Sequence, residues 1–162
     1  MSRILAKQVG ELLLQHNLLL VTAESCTGGG VAQEVTAIAG SSQWFDRGFV
    51  TYTNLSKQEM LDVDPLIIAT HGAVSEQTVR SMACGALVNS YAQIAVSISG
   101  IAGPGGGSDD KPVGTIWFAW AFADGKVDTQ KSQFDGDRNQ VRQQAVEQAL
   151  QGIIDRLTEY AG

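Results

Sequence analysis

The sequence predicts a single α/β domain over residues 1–162, a mixed β-sheet flanked by helices in a three-layer-like arrangement with one β-hairpin. Three observations predict it. Short, nearly continuous apolar runs alternate with amphipathic helical patterns. Asp124-Gly125 separates two strand-like segments and is a strong hairpin signal. A chain of 162 residues buries about two-thirds of its surface on folding, so one core suffices without a metal or disulfide staple.

The elements follow in order. Residues 3–16 carry Ile4, Leu5, Val9, Leu12 and Leu13 on one helical stripe, and Asn17 stops the helix. Leu18 to Thr22 reads as a strand covered on both faces. The chain turns through residues 23–30 and resumes a helical pattern to about Ile38. Trp44 to Thr53 returns to strand character, and a short helix from about Asn54 carries Lys57. Ser75 is a good N-cap for a helix reaching about Tyr91. Ile94 to Ser99 is a second buried strand, and Gly100 to Pro112 is a loop too long for a simple turn. Thr115–Ala123 and Val127–Phe134 form the hairpin, and Asp137 with Gln140 opens a last helix of about 137–160 like a capping box.

Composition narrows the function classes. Hydrophobic residues are 44% and charged residues 17%, the balance of a globular protein. The net charge is −6 and no basic tract is present, which argues against nucleic acid as a partner but not against one phosphate bound locally. Cys26 and Cys84 have no metal-ligand spacing and are expected as reduced thiols. The first residues lack a signal-peptide core, and the apolar stretch Val113–Ala123 is about half a membrane span, so a cytoplasmic protein with no membrane partner is expected.

The glycines bunch at 28–30 and 100–107, each cluster after a predicted strand. Both loops therefore emerge at strand C-terminal ends, the edge where open α/β sheets bind ligands. Ser25 sits in the first turn, where helix N-terminal N–H groups face whatever it attacks. The other reading of Ser25, and of Thr27, is an N-cap. A serine nucleophile needs a base, and His16 and His71 read as surface or turn residues. Lys57 is the alternative, and as a base it must be uncharged, through desolvation in an apolar pocket. Otherwise it is an exposed helical lysine. Tyr52 donates to or relays between Ser25 and Lys57, or simply ends a strand. The 99–107 loop holds five glycines in eight positions (100–107), whose N–H groups suit phosphate or an oxyanion, unless the loop is a flexible surface segment. Arg138 and Arg142 lie four apart on one helix face, either a phosphate clamp or, for Arg142, a solvated charge.

Read together, four ordered motifs cover nearly the whole chain: Ala23-Glu24-Ser25-Cys26-Thr27-Gly28-Gly29, Tyr52-x-Asn54-x-x-Lys57, Ser99-Gly100-Ile101-Ala102-Gly103-Pro104-x-Gly106-Gly107, and Lys111-Pro112-Val113-Gly114-Thr115. They strongly resemble the CinA C-terminal domain family, as does Gly136-Asp137-Arg138. The resemblance implies nicotinamide-nucleotide amidase activity in pyridine nucleotide salvage, with the family's serine at Ser25, tyrosine at Tyr52 and lysine at Lys57. It also implies a homo-oligomer, commonly a dimer, that uses no metal or organic cofactor. Substrate contacts are then expected from Cys26, Thr27, Gly28, Gly29, Asn54, Gly100, Gly103, Gly105, Gly106 and Arg138. Asp62 stands where the family often has glycine. Two rivals remain open, a non-catalytic nucleotide-binding module and a serine–lysine hydrolase of another small amide or ester.

Overall fold

The structure is a computed structural model that describes residues 1–160; Ala161 and Gly162 of the expected domain span lie outside them. The helices are α1 (Ser2–His16), α2 (Gly30–Thr36), α3 (Asn54–Leu61), α4 (Pro65–His71), α5 (Glu76–Val88) and α6 (Arg138–Thr158). The strands are β1 (Leu20–Glu24), β2 (Phe45–Val50), β3 (Ile94–Gly100), β4 (Thr115–Phe122) and β5 (Val127–Gln133). They form one five-stranded sheet in the order β2-β1-β3-β4-β5. β1 pairs parallel with β2 and β3, whereas β3–β4 and β4–β5 are antiparallel, so the sheet is mixed as expected.

Alternation along the strands splits the core in two. Leu20, Val96, Ile98, Ile116, Phe118 and Trp120 face α1, α2 and α6. Val21, Ala23, Ala95, Ala119 and Ala121 face α5 and the side chains of α3 and α4. The first face takes bulky side chains and the second mostly alanines, which lets α5 lie close to the sheet. The result is three layers, helix–sheet–helix.

Local chemistry moves several boundaries. Asn17 adopts the left-handed conformation and Leu18 N–H donates to the Leu13 carbonyl, so α1's cap consumes the residues expected to open β1. β2 stops at Val50 rather than Thr53, because Thr53 is the N-cap of α3, in a reciprocal capping box with Ser56. α2 ends at Thr36, and α5 ends at Val88 instead of Tyr91, where the Asn89 amide side chain binds the Gly85 carbonyl. α4 has no counterpart in the sequence reading. Its signal is Asp64-Pro65, an N-cap followed by proline at the first helical position, and His71 closes that helix. Asp62 has φ 58° as the C-cap of α3, a left-handed position that favours glycine and that aspartate tolerates.

The topology creates a crevice. The chain leaves β1 for β2 on one side, then crosses to β3 on the other, so the strand order reverses between β1 and β3. The crevice beyond the carboxyl ends of these two strands is the usual ligand site of such sheets. α3 is brought over this edge by a close crossing on α5. Gly85 makes that crossing possible, since a Cβ there would collide with the Leu61 carbonyl at the end of α3. Gly85→Ala should therefore lower stability by about 1–3 kcal/mol through overpacking, with thermal unfolding as the check; an unchanged midpoint would mean that α3 moves freely.

Candidate active site

A cleft of about 280 Å³ opens at this crevice, lined by Ser25, Cys26, Tyr52, Asn54, Lys57, Ala73, Val74, residues 99–103, Gly105, Gly106 and Arg138. That volume lies at the small end for small-molecule sites. Ser25 is the first residue after β1. Its N–H donates to the Ile98 carbonyl at 3.0 Å, extending the β1–β3 ladder. On the other side Thr51 N–H donates to the Glu24 carbonyl at 2.8 Å, so the start of the turn is fixed by both neighbours.

Lys57 lies one turn into α3. Its side chain leans toward the helix N-terminus, as helical side chains do, and so reaches the cleft. It is 1% exposed, and its Nζ is 3.0 Å from Ser25 Oγ, 3.0 Å from the Thr51 carbonyl and 3.5 Å from the Tyr52 carbonyl. No carboxylate pairs with it among the described residues. Burial therefore pushes its pKa below the ordinary lysine value of 10.5, toward an uncharged amine. A neutral amine can donate to the two carbonyls and turn its lone pair to the Ser25 hydroxyl.

Cys26 is the other candidate nucleophile, and it is disarmed. Burial pushes its thiol up to about 12, with the nearby Glu24 charge adding to the rise, so it stays protonated at neutral pH. Both cysteines are free, Cys26 buried and Cys84 exposed.

The expected contacts divide. Cys26, Asn54, Gly100, Gly103, Gly105, Gly106 and Arg138 line the cleft. Thr27, Gly28 and Gly29 do not. The Thr27 hydroxyl donates to Glu24 Oε1 at 2.6 Å. Gly28 and Gly30 lie against α6: a Cβ on Gly28 would stand 3.1 Å from Arg142 Nη2, and one on Gly30 2.8 Å from Val146. Glycine at these two positions admits α6. Tyr52 is also placed otherwise than between serine and lysine. Its phenol is exposed and accepts from Arg138 Nη2 at 2.9 Å, while Arg138 Nη1 donates to the Gly103 carbonyl at 2.8 Å. The Ser25–Lys57 contact is direct. Arg142 points away from the cleft, to the Cys26 and Thr27 carbonyls. His16 packs edge-on to Tyr160, and His71 offers its carbonyl to Lys111, so neither serves the site.

One feature had no motif to announce it. Ala73 and Val74 supply an apolar wall from the α4–α5 connection. Gly100, expected from the glycine-rich loop, offers a donor: Ile98 bonds toward β1 and Ile101 toward β4, so alternation turns the Gly100 N–H toward the Ser25 turn. The Ser25 carbonyl, next along the chain from β1, accepts from Gly28 N–H at 3.0 Å. No group of His, Cys, Asp and Glu among the described residues is placed to hold a metal ion.

A family profile, the CinA C-terminal domain, matches residues 2–157. The chain belongs to the CinA C-terminal domain family. Within that family it is 56% identical over 149 residues to a nicotinamide-nucleotide amidohydrolase PncC of Escherichia coli K12, covering 92% of this chain and 90% of the relative. It is 49% identical to the PncC protein of Pseudomonas putida, covering 96% of each. A crystal structure of a CinA superfamily protein from Klebsiella pneumoniae superposes with a TM-score of 0.95 at 40% identity, covering 99% of both chains. The crystal structure of the competence/damage inducible protein CihA from Agrobacterium tumefaciens gives 0.93 at 45% identity, covering 97% of this chain and 95% of that one.

The protonated, buried state of Cys26 has a direct consequence. Iodoacetamide at pH 8 should alkylate Cys84 in the folded protein and reach Cys26 only after denaturation, as read by peptide mass spectrometry. Early labelling of Cys26 would mean a thiolate in the cleft.

Proposed function

We propose that the chain hydrolyses the carboxamide of nicotinamide mononucleotide, with Ser25 as nucleophile and Lys57 as base. The observation that carries the reading is the 3.0 Å contact between a buried, unpaired lysine amine and a serine hydroxyl at the cleft. The PncC relatives, named for nicotinamide-nucleotide hydrolysis, supply the substrate class.

The Ser25 hydroxyl proton passes to Lys57 Nζ as Oγ attacks the carboxamide carbon. The carbonyl oxygen becomes an oxyanion, held by the N–H groups of Gly100 and Cys26. Removing one such donor typically costs ~10²–10³ in rate. The Lys57 ammonium then returns the proton to the amide nitrogen, which leaves as ammonia. Water attacks the acyl-enzyme, its proton goes to Lys57, and collapse frees nicotinate mononucleotide and restores the Ser25 hydroxyl. No step needs the Tyr52 phenol as a relay. Its carbonyl orients Lys57, and its hydroxyl holds Arg138.

Ala73, Val74, Ile101 and Ala102 offer an apolar wall for the pyridine ring. Arg138 and the glycine-loop N–H groups stand at the phosphate end, with guanidinium donors beyond the two engaged by Gly103 and Tyr52. The same reading is of a cytoplasmic homo-oligomer, with Tyr52 and Leu55, large side chains 57% and 60% exposed, as apolar surface for contact between copies. No helix among the described residues is long and apolar enough to cross a membrane.

The purified protein should release ammonia and nicotinate mononucleotide in equal amounts from nicotinamide mononucleotide. Ser25→Ala should lower kcat by ~10³-fold or more while substrate still binds. Lys57→Arg, which keeps a cation but supplies no base, should be comparably inactive. Near-native turnover in either variant would remove that residue from the mechanism, and ligand-induced thermal stabilisation without ammonia would leave a binding module.

A further inference from the structure

The turn that carries Ser25 is gripped from two sides by charged residues that never touch the cleft. Glu24 is 1% exposed and has no cationic partner within salt-bridge distance among the described residues. Its Oε1 accepts from the Thr27 hydroxyl at 2.6 Å and from Val31 N–H at 2.9 Å, and its Oε2 from Ala32 N–H at 3.1 Å. The carboxylate thus ties the turn to the first turn of α2. On the opposite side Arg142 of α6 donates from Nε to the Cys26 carbonyl at 3.0 Å and from Nη2 to the Thr27 carbonyl at 3.4 Å. It lies in a separate groove between α2 and α6, lined also by Thr27, Gly30, Gln33 and Val146.

Building on the serine–lysine reading above, we propose that Arg142 is a positioning residue for the reaction: it sets the peptide planes that follow the nucleophile. A peptide group is planar, with its C=O and N–H on opposite edges. A guanidinium that holds the Cys26 carbonyl therefore fixes the direction of the Thr27 N–H and limits rotation of the Cys26 backbone. The Ser25 carbonyl accepts from Gly28 N–H at 3.0 Å, which fixes the preceding peptide and the Cys26 N–H. Arg142 closes this set. Without it, the Cys26 carbonyl has no donor among the described residues, and the Thr27 carbonyl keeps only Gly30 N–H.

The sequence is built for this contact. Gly28 adopts φ 60° and leaves room for Arg142 Nη2, which a Cβ would approach to 3.1 Å. Arg138 and Arg142 occupy the same face one turn apart. The first reaches the cleft and the second reaches behind the turn, so one helix couples the substrate end of the site to the backbone of the nucleophile. Arg142 acts through that backbone and is not itself a catalytic residue.

The test compares native protein, Arg142→Ala and Arg142→Lys for ammonia release from nicotinamide mononucleotide, alongside thermal unfolding. A misplaced reacting group of this kind costs roughly 10²-fold. Arg142→Ala should lose about 10- to 100-fold in kcat, keep KM within about threefold, and recover part of its kcat with added methylguanidinium, which can enter the open groove. Arg142→Lys, with one carbonyl bonded, should fall between the two, and it carries the test if the alanine variant does not fold. A kcat within about twofold of native, a loss that resides in KM, or a rescue of the unfolding midpoint without kcat overturns the proposal. Native protein that releases no ammonia overturns the amidase reading itself, and the proposal with it.

Discussion

Everything in the site depends on one constraint, an amine buried beside a hydroxyl with no counter-charge. Lys57 is as thoroughly buried as Trp120 and Phe118, yet its Nζ meets only two carbonyls and Ser25 Oγ. A charged ammonium in that place would lose its hydration without an anion to replace it. The fold lowers the lysine pKa instead, and a lowered pKa is what a general base needs. The arrangement has a cost. In the window between the lowered folded-state value and 10.5, the unfolded chain holds the proton and the folded chain does not, so this group's contribution to stability rises with pH through that window and is unfavourable below it.

The remaining structure holds that constraint in place. The strand order reverses between β1 and β3 and leaves a crevice beyond their ends. β1 delivers Ser25 to it, and α3, seated on Gly85 of α5, delivers Lys57 from the other direction. The serine turn is then locked from outside the cleft by Glu24 and Arg142. Pairing a rigid turn with a desolvated base lets positioning and electrostatics act together. The neighbouring Cys26, although intrinsically the better nucleophile, is kept as a thiol by the same burial that frees the lysine lone pair. One environment acts on both groups: desolvation favours the neutral form of each, which leaves an amine its lone pair and keeps a thiol protonated.

Much of this was legible in the sequence because local chemistry wrote it there. The Asp124-Gly125 hairpin, the Asp137 and Gln140 capping box and the Ser75 cap are all seen. The spacing Tyr52-x-Asn54-x-x-Lys57 marks a strand-to-helix passage that puts a lysine at a helix start, as found. What stayed hidden depends on tertiary contact. The Gly28–Gly30 cluster looks like a ligand cradle in sequence, and no spacing shows that Gly28 and Gly30 also make room for Arg142 and Val146, more than a hundred residues downstream. The direction of the Tyr52 phenol follows from Arg138, and the burial of Lys57 follows from helix packing that no spacing encodes. α4 shows no stripe in the sequence because a seven-residue helix has too few turns, although Asp64-Pro65 announces its start.

The most direct test of the central claim is the titration of the Lys57 amine itself. Lysine labelled with 13C at Cε, with the Lys57 signal assigned by its loss in Lys57→Arg, reports protonation of that one side chain by NMR. The expected midpoint lies below 10.5 in the folded protein, with a Ser25→Ala variant showing the same displaced titration because burial, not the hydroxyl, causes it. A Lys57 that titrates at or above 10.5 is charged at every working pH, and the serine then has no base within reach.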